Sequence, residues 1–241
     1  MQDIPVIDTA VIGLAPDFCA LHLFVSTPDA TVMGDASPTL ADACRFVRDG
    51  GPSWADAHLA AWADTYTRFG AKPNRTPCSA QALRKRVLKD GTLPAINPVV
   101  DLYNAISLRY AVPVGGENLS AYVGVPRLTI ADGTETFDTM SSGEPAIEHP
   151  LPGEVIWRDD IGVTCRRWNW RQGTRTRLNG DERSMWFVLE ALAEMPNEAL
   201  EEAGHALANG LKRILPSASV TMVPTAYSTS QKASPANRLS D

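Results

Sequence analysis

The densest chemistry in this sequence lies at Cys165-Arg166-Arg167-Trp168-Asn169-Trp170-Arg171, continued by Gln172-Gly173-Thr174-Arg175-Thr176-Arg177. Guanidinium groups bind phosphate bidentately and stack on indoles, and both groups stack on unpaired nucleotides. If 165–171 is extended, Cys165, Arg167, Asn169 and Arg171 share one face, and Arg166, Trp168 and Trp170 share the other. The plainer alternative is a self-satisfied arrangement, with the indoles in the core and the arginines paired to Asp159, Asp160 or Glu154. Composition alone favours that alternative. A second basic stretch, residues 65–89, holds Arg68, Lys72, Arg75, Arg84, Lys85, Arg86 and Lys89 and no acid, a block of +7. It reads equally as an electrostatic contact for phosphates and as a solvated helix face.

Other candidates are weaker. Ser141-Ser142-Gly143 has no positioned base, and Glu148-His149 precedes Pro150 in a loop. Cys165 beside arginines could have a lowered pKa but is expected to be a buried structural thiol. His22 reads as a core residue and His205 as solvated, and Asp159-Asp160 as neutralising the arginines that follow. Cys19, Cys44, Cys78 and Cys165 are scattered, no CxxC or Cys/His cluster occurs, and no Gly-rich phosphate loop is present. Neither a metal nor a cofactor is therefore expected.

The chain of 241 residues is long enough for one large domain or two intimately packed ones. The net charge of −6 argues against a globally basic nucleic-acid footprint and against broad duplex DNA binding. No run of 18 apolar residues suggests a membrane span, and the first residues do not resemble a signal peptide. A reduced, cytoplasmic protein is expected, with its oligomeric state open.

The elements that must position these residues follow from periodicity. Residues 18–25 read as a buried strand. Three helices follow, one from Ser37-Pro38 to Gly50, one capped by Ser53 and ending at Gly70, and one capped by Ser79 and ending at Gly91. Residues 97–111 predict a helix with Val99, Tyr103, Ile106 and Tyr110 on its apolar stripe, and with Asp101 and Asn104 together on another face. Asp132-Gly133 predicts a hairpin between 128–131 and 134–137. Strands are expected at 154–158, 161–168 and 184–191, the last open to a helical reading. A final helix is capped by Asn197, with Leu200, Gly204, Leu207, Leu211 and Ile214 inward. The segment 217–241 is expected to be mostly disordered. The pattern is α+β.

Three stretches, PAINPVVDLYNAISLRYAVPVGG, PGEVIWRDDIGVTCRRWNWRQGTRT and WFVLEAL, together resemble free-standing proteins of the B3/B4 family. That domain is known as the editing module in the β subunit of bacterial phenylalanyl-tRNA synthetase, where it hydrolyses tRNA charged with the wrong amino acid, chiefly tyrosine. The resemblance implies a mixed B3/B4-like sheet flanked by helices, with an N-terminal helix-rich region packed on it. It divides the chain into residues 1–90 as an α/β region integral to the fold, 91–216 as the B3/B4-like domain, and the tail from 217.

The resemblance also implies a substrate site. Asp101 and Asn104 match the Asp-x-x-Asn of the synthetase module. Gly115 stands at the position of its pocket His, within the turn Gly115-Gly116-Glu117-Asn118, and Gln172 falls near its pocket Glu. Arg166, Arg167, Arg171, Arg84, Lys85 and Arg86 would hold the tRNA acceptor end. No catalytic side chain is assigned. The implied function is that of a stand-alone trans-editing factor that hydrolyses mischarged aminoacyl-tRNA. The alternative is a non-catalytic module binding tRNA or an amino-acid-like ligand, and a third reading is a small-molecule enzyme or sensor.

Overall fold

The computed structural model describes residues 4–225. In chain order the elements are β1 (Val6–Ile7), α1 (Thr9–Leu14), β2 (Cys19–Ser26), α2 (Ser37–Arg48), α3 (Ala55–Arg68), α4 (Ser79–Asp90), α5 (Pro98–Tyr110) and β3 (Val114–Asn118). They continue with β4 (Arg127–Ile130), β5 (Phe137–Ser141), β6 (Glu144–Glu148), β7 (Val155–Arg158), β8 (Val163–Arg166), β9 (Arg171–Gln172), β10 (Ser184–Ala191), α6 (Asn197–Ile214) and β11 (Ser219–Pro224). The class is α+β, as the sequence predicts.

Two sheets form. The smaller is antiparallel, in the order β11-β2-β10-β3, and the larger is mixed, in the order β1-β4-β7-β8-β5-β6 with β9 beside β8. The small sheet is covered on both faces. Leu21, Leu23, Phe187 and Leu189 pack with Leu102, Ile106, Leu207 and Leu211 of α5 and α6. Phe24, Trp186 and Val188 point the other way and pack with Leu128, Val155 and Trp157 of the large sheet and with Leu59, Trp62 and Tyr66 of α3. This double coverage explains why β2 and β10 read as nearly continuous apolar runs rather than alternating ones. It also makes β10, hydrogen-bonded to β2 on one side and β3 on the other, the centre of the molecule.

Several expectations need correction. Asp132-Gly133 does turn the chain, with both amides donating to the Glu135 carboxylate at 3.1 and 3.0 Å. The strands it was expected to join do not pair: β4 lies between β1 and β7, and β5 pairs with β6 and β8. The side chain of Glu135 closes the turn locally and sends the chain across the sheet. The two-residue hairpin is at Ser142-Gly143, joining β5 to β6, with φ of 52° and 87°. That is the left-handed pair such a tight loop requires. Ser53, Ser79 and Asn197 do not occupy the N-cap positions, which fall to Trp54, Cys78 and Pro196. The segment from 217 is ordered at least through β11, because Val220 and Met222 pack against the apolar cluster and six residues pair with β2. The rest of the expected tail, 226–241, lies outside the described residues.

Helix α6 approaches α5 closely at Gly210, where an added Cβ would stand 2.6 Å from Leu102 Cδ1 and 2.8 Å from Cδ2. Gly13 of α1 faces open space. Gly210→Ala is therefore expected to lower stability by about 1 kcal/mol or more, because overpacking outweighs the helix propensity gained. Gly13→Ala should raise stability by about 0.5–1 kcal/mol. Urea midpoints of the two variants check this, and a stabilised Gly210→Ala would contradict the packing argument.

Candidate functional site

A cavity of about 280 Å³ opens between the two sheets, walled by α4, α5, β3 and β10 and by the connection from β8 to β9. That size sits near the lower end of the roughly 300–1,000 Å³ typical of ligand pockets. It suits an amino-acid-sized group rather than a whole nucleotide. Among the described residues its lining contains four tryptophans (Trp157, Trp168, Trp170 and Trp186), two glutamates (Glu117 and Glu190) and no lysine, arginine or histidine.

The two glutamates come from neighbouring strands. Glu117 of β3 is paired with Trp186 of β10, and Glu190 lies four residues further along β10 on the same face. At roughly 3.3 Å per residue their backbones are about 13 Å apart, so they mark opposite ends of the cavity. Glu190 is fully engaged. One carboxylate oxygen accepts the indole N–H of Trp157 at 3.0 Å and of Trp168 at 3.1 Å, and the other accepts the Asn169 amide at 2.9 Å. Asn169 in turn accepts the Tyr66 hydroxyl at 2.8 Å. Burial outweighs these donors and pushes the Glu190 carboxyl up to about 7. Glu117 is the opposite case. It is 5 % exposed, and its Oε2 has no hydrogen-bond partner among the described residues. Burial pushes its carboxyl up to about 8, against the opposing effect of the nearby Thr176 hydroxyl and Gln172 side chain, neither of which reaches it with full hydrogen-bond geometry. A second lining group, the Ser79 hydroxyl, is also shielded and unpartnered. Buried polar atoms without partners are rare, and two in one cavity wall mark a place for a polar ligand.

The Cys165–Arg171 run is not the extended strand its alternation suggested. Strand β8 stops at Arg166, and Arg167 and Trp168 adopt left-handed backbone, with φ of 47° and 66°. Two consecutive non-glycine residues in that region cost on the order of 1–2 kcal/mol each and need external support. The support is specific. The Arg167 amide donates to Glu154 at 3.1 Å, and the Trp168 indole is held by Glu190. The turn places Trp168 in the core and leaves Trp170 against the cavity.

The site residues named from sequence separate into two groups. Asn104, Gly115, Gly116, Glu117 and Gln172 all line the cavity. A Cβ on Gly115 would stand 3.2 Å from Val188 Cγ1, a tight contact. A Cβ on Gly116 would collide with Phe187, Leu178 and Tyr103, all at about 3 Å, and its carbonyl accepts the Gln172 amide at 2.7 Å. Asp101 and Asn118 do not reach the cavity. Asp101 is buried at the start of α5 and accepts the Ile96 amide at 2.8 Å, and Asn118 accepts the Ser120 amide at 3.0 Å.

The expected RNA-binding arginines divide similarly. Arg166 is not available, because its guanidinium is clamped bidentately by Glu154 at 2.9 Å and reaches Glu148 at 2.8 Å. Arg171 shares Glu148 and bonds the Thr139 hydroxyl. Arg167 stacks on Trp170 at 4.4 Å and remains partly exposed. Arg84 is drawn to Asp56 and the Gly50 carbonyl, Arg86 lies 3.8 Å from Asp90, and Lys85 is exposed. The self-satisfied alternative thus describes Arg166 and Arg171, with Glu154 among the partners the sequence named. Glu190 was missed, although one acid inside the apolar run SMWFVLEA was the available signal.

Both cavity carboxyls hold their protons more tightly in the folded chain than the ordinary 4.5 of the unfolded one. The stability this contributes is full below about pH 4.5 and is lost as pH rises through 7 to 8. Between those limits each group tilts stability by at most about 1.4 kcal/mol per pH unit. Glu117→Gln should flatten the decline in urea midpoint between pH 5 and pH 8. An unchanged slope would show that Glu117 titrates normally.

Comparison with known proteins adds the family. A search of curated proteins finds no match. Among solved structures, the chain is similar to an N-terminal fragment of the phenylalanyl-tRNA synthetase β-subunit from Pyrococcus horikoshii, with a TM-score of 0.48 and 9% identity. The match covers 92% of this chain and 54% of that one, so the chain spans about half the length of that fragment. The B3/4 domain profile matches residues 61–202 of the 241, a span that contains the whole cavity wall, and the chain belongs to the B3/4 domain family.

Proposed function

We propose that this chain is a stand-alone trans-editing factor that hydrolyses mischarged aminoacyl-tRNA, with the aminoacyl group in the cavity between the sheets. The observation that carries this reading is Glu117, a buried carboxylate in the cavity wall with one oxygen left without a partner. A carboxyl raised to about 8 is close to the ideal for a general base near neutral pH. In this reading Glu117 takes a proton from water as the water oxygen attacks the ester carbonyl. In this reading the Asn104 amide and the Ser79 hydroxyl, both in the cavity wall, donate to the developing oxyanion. The C–O bond to the ribose then breaks, the proton passes to the leaving hydroxyl, and a free amino acid and uncharged tRNA result.

The aromatic lining of the cavity supports an ester over a free amino acid. An aminoacyl ester carries an α-ammonium and, unlike the free amino acid, no α-carboxylate. The faces of the four indoles that line the cavity attract a cation. Above about pH 8, where both glutamates are ionised, they repel the carboxylate of the product, which favours its departure. Gly115, at the position of the family's pocket His, favours a second reading, in which the same cavity binds an amino-acid-like ligand without turnover.

Deacylation of a panel of mischarged tRNAs decides between these readings. At least one should be cleared above the uncatalysed rate. On it Glu117→Gln should lower kcat by about 10²-fold or more, and Asn104→Ala should likewise lower kcat rather than raise KM. The excess over background should rise with pH through about 8, where Glu117 is half deprotonated, and level off above it. Binding of aminoacyl-tRNA with no turnover on any member would select the second reading.

A further inference from the structure

A second concavity of about 350 Å³ lies on the far side of the Arg167–Trp170 turn, between the loop after α3 and the loop before β7. Its walls include Phe69, Lys72, Arg75, Leu151, Pro152 and Arg167. We propose that this cleft is a phosphate-binding site, and that it holds a phosphate of the same ligand whose acyl end fills the first cavity. The second clause rests on the editing reading above.

Three observations support it. Lys72 and Arg75 are exposed and have no carboxylate partner among the described residues. Arg167 is preorganised, because its backbone is fixed by Glu154 and its guanidinium carbon stands 4.4 Å from the Trp170 ring centroid, with Nε 3.6 Å from Glu154 Oε2. The acid at the base of the cleft, Glu154, is already saturated by Arg166, by the Arg167 amide and by the Leu151 amide. Arg166, Arg167 and Arg171 share only Glu148 and Glu154, so Lys72 and Arg75 add to a local excess of positive charge. Three donors converging on a concave surface suit a tetrahedral dianion or phosphodiester. Phe69, Leu151 and Pro152 offer the apolar floor that a sugar or base needs.

The position of the cleft links it to the first cavity. Trp170 lines that cavity, Arg167 lines the cleft, and the two side chains stack on each other. The opposing chemistries of an aminoacyl nucleotide, a cationic amine and an anionic phosphate, would thus be sorted to opposite faces of one turn.

The test uses the full chain, with inorganic phosphate and an uncharged acceptor-stem minihelix RNA as probes, followed by tryptophan fluorescence. Phosphate or RNA should change the signal, and Trp170→Phe should reduce the change. Lys72→Ala/Arg75→Ala should weaken the affected probe by about 10-fold or more, and should lower the salt slope of RNA binding by about 2. Weakened RNA binding identifies a nucleic-acid phosphate, and weakened binding of inorganic phosphate alone identifies a free phosphate ester. Binding of both probes unchanged in the double variant and in Arg75→Glu would overturn the proposal. Because neither probe is aminoacylated, failure of hydrolysis leaves this result intact. Cleavage of a phosphate-free aminoacyl ethyl ester should be unaffected by the double variant.

Discussion

The arrangement turns on one buried carboxylate. Glu190 sits at the end of the central strand with no access to water, and it survives there because two indoles and an amide point at it. Those donors come from β7 and from the turn after β8, so the carboxylate ties the large sheet to the small one. It also fixes a backbone that would not otherwise hold two left-handed residues in succession. An apolar residue at this position would leave three buried donors without acceptors, at a cost of about 1–3 kcal/mol each. The cavity exists because the turn is held away from β3, and the turn is held by Glu190.

Much of the fold was legible from periodicity. The helices and the buried strands announce themselves because each is long and its burial uniform. The failures have a common physical origin. A side chain closing a turn, as Glu135 does, leaves the same Asp-Gly signature as a hairpin without its strand pairing. The stretch Cys165–Arg171 has the alternation of a strand, but a pair of distant glutamates bends it. Such contacts, between residues 12 to 22 apart in sequence or more, leave no local trace.

The site was legible in part, and through resemblance more than through composition. Asn104, Gly115, Gly116, Glu117 and Gln172 converge on one cavity, although they come from α5, β3 and β9. Arg166 and Arg171 were expected from the resemblance to hold the tRNA acceptor end, yet they pair with Glu154 and Glu148. The acidic pair inside the cavity gave no hint, because a glutamate in an apolar strand or beside a Gly-Gly turn does not announce what will surround it. Formal charge in the sequence and free charge on the surface are therefore poorly related in this protein.

The pairing of β2 with β10 has a consequence for modularity. The family profile begins at residue 61, but β2, at Cys19–Ser26, pairs with β10 at eight successive positions and carries the outer strand β11 on its other side. An excised segment starting at residue 61 would carry every residue of the cavity wall and yet expose one full edge of its central strand. Phe18 would also be missing from the aromatic cluster around Trp62 and Trp168. The ligand-binding part of this chain is therefore not portable: the architecture that makes the site rigid reaches back before the segment by which the family is recognised.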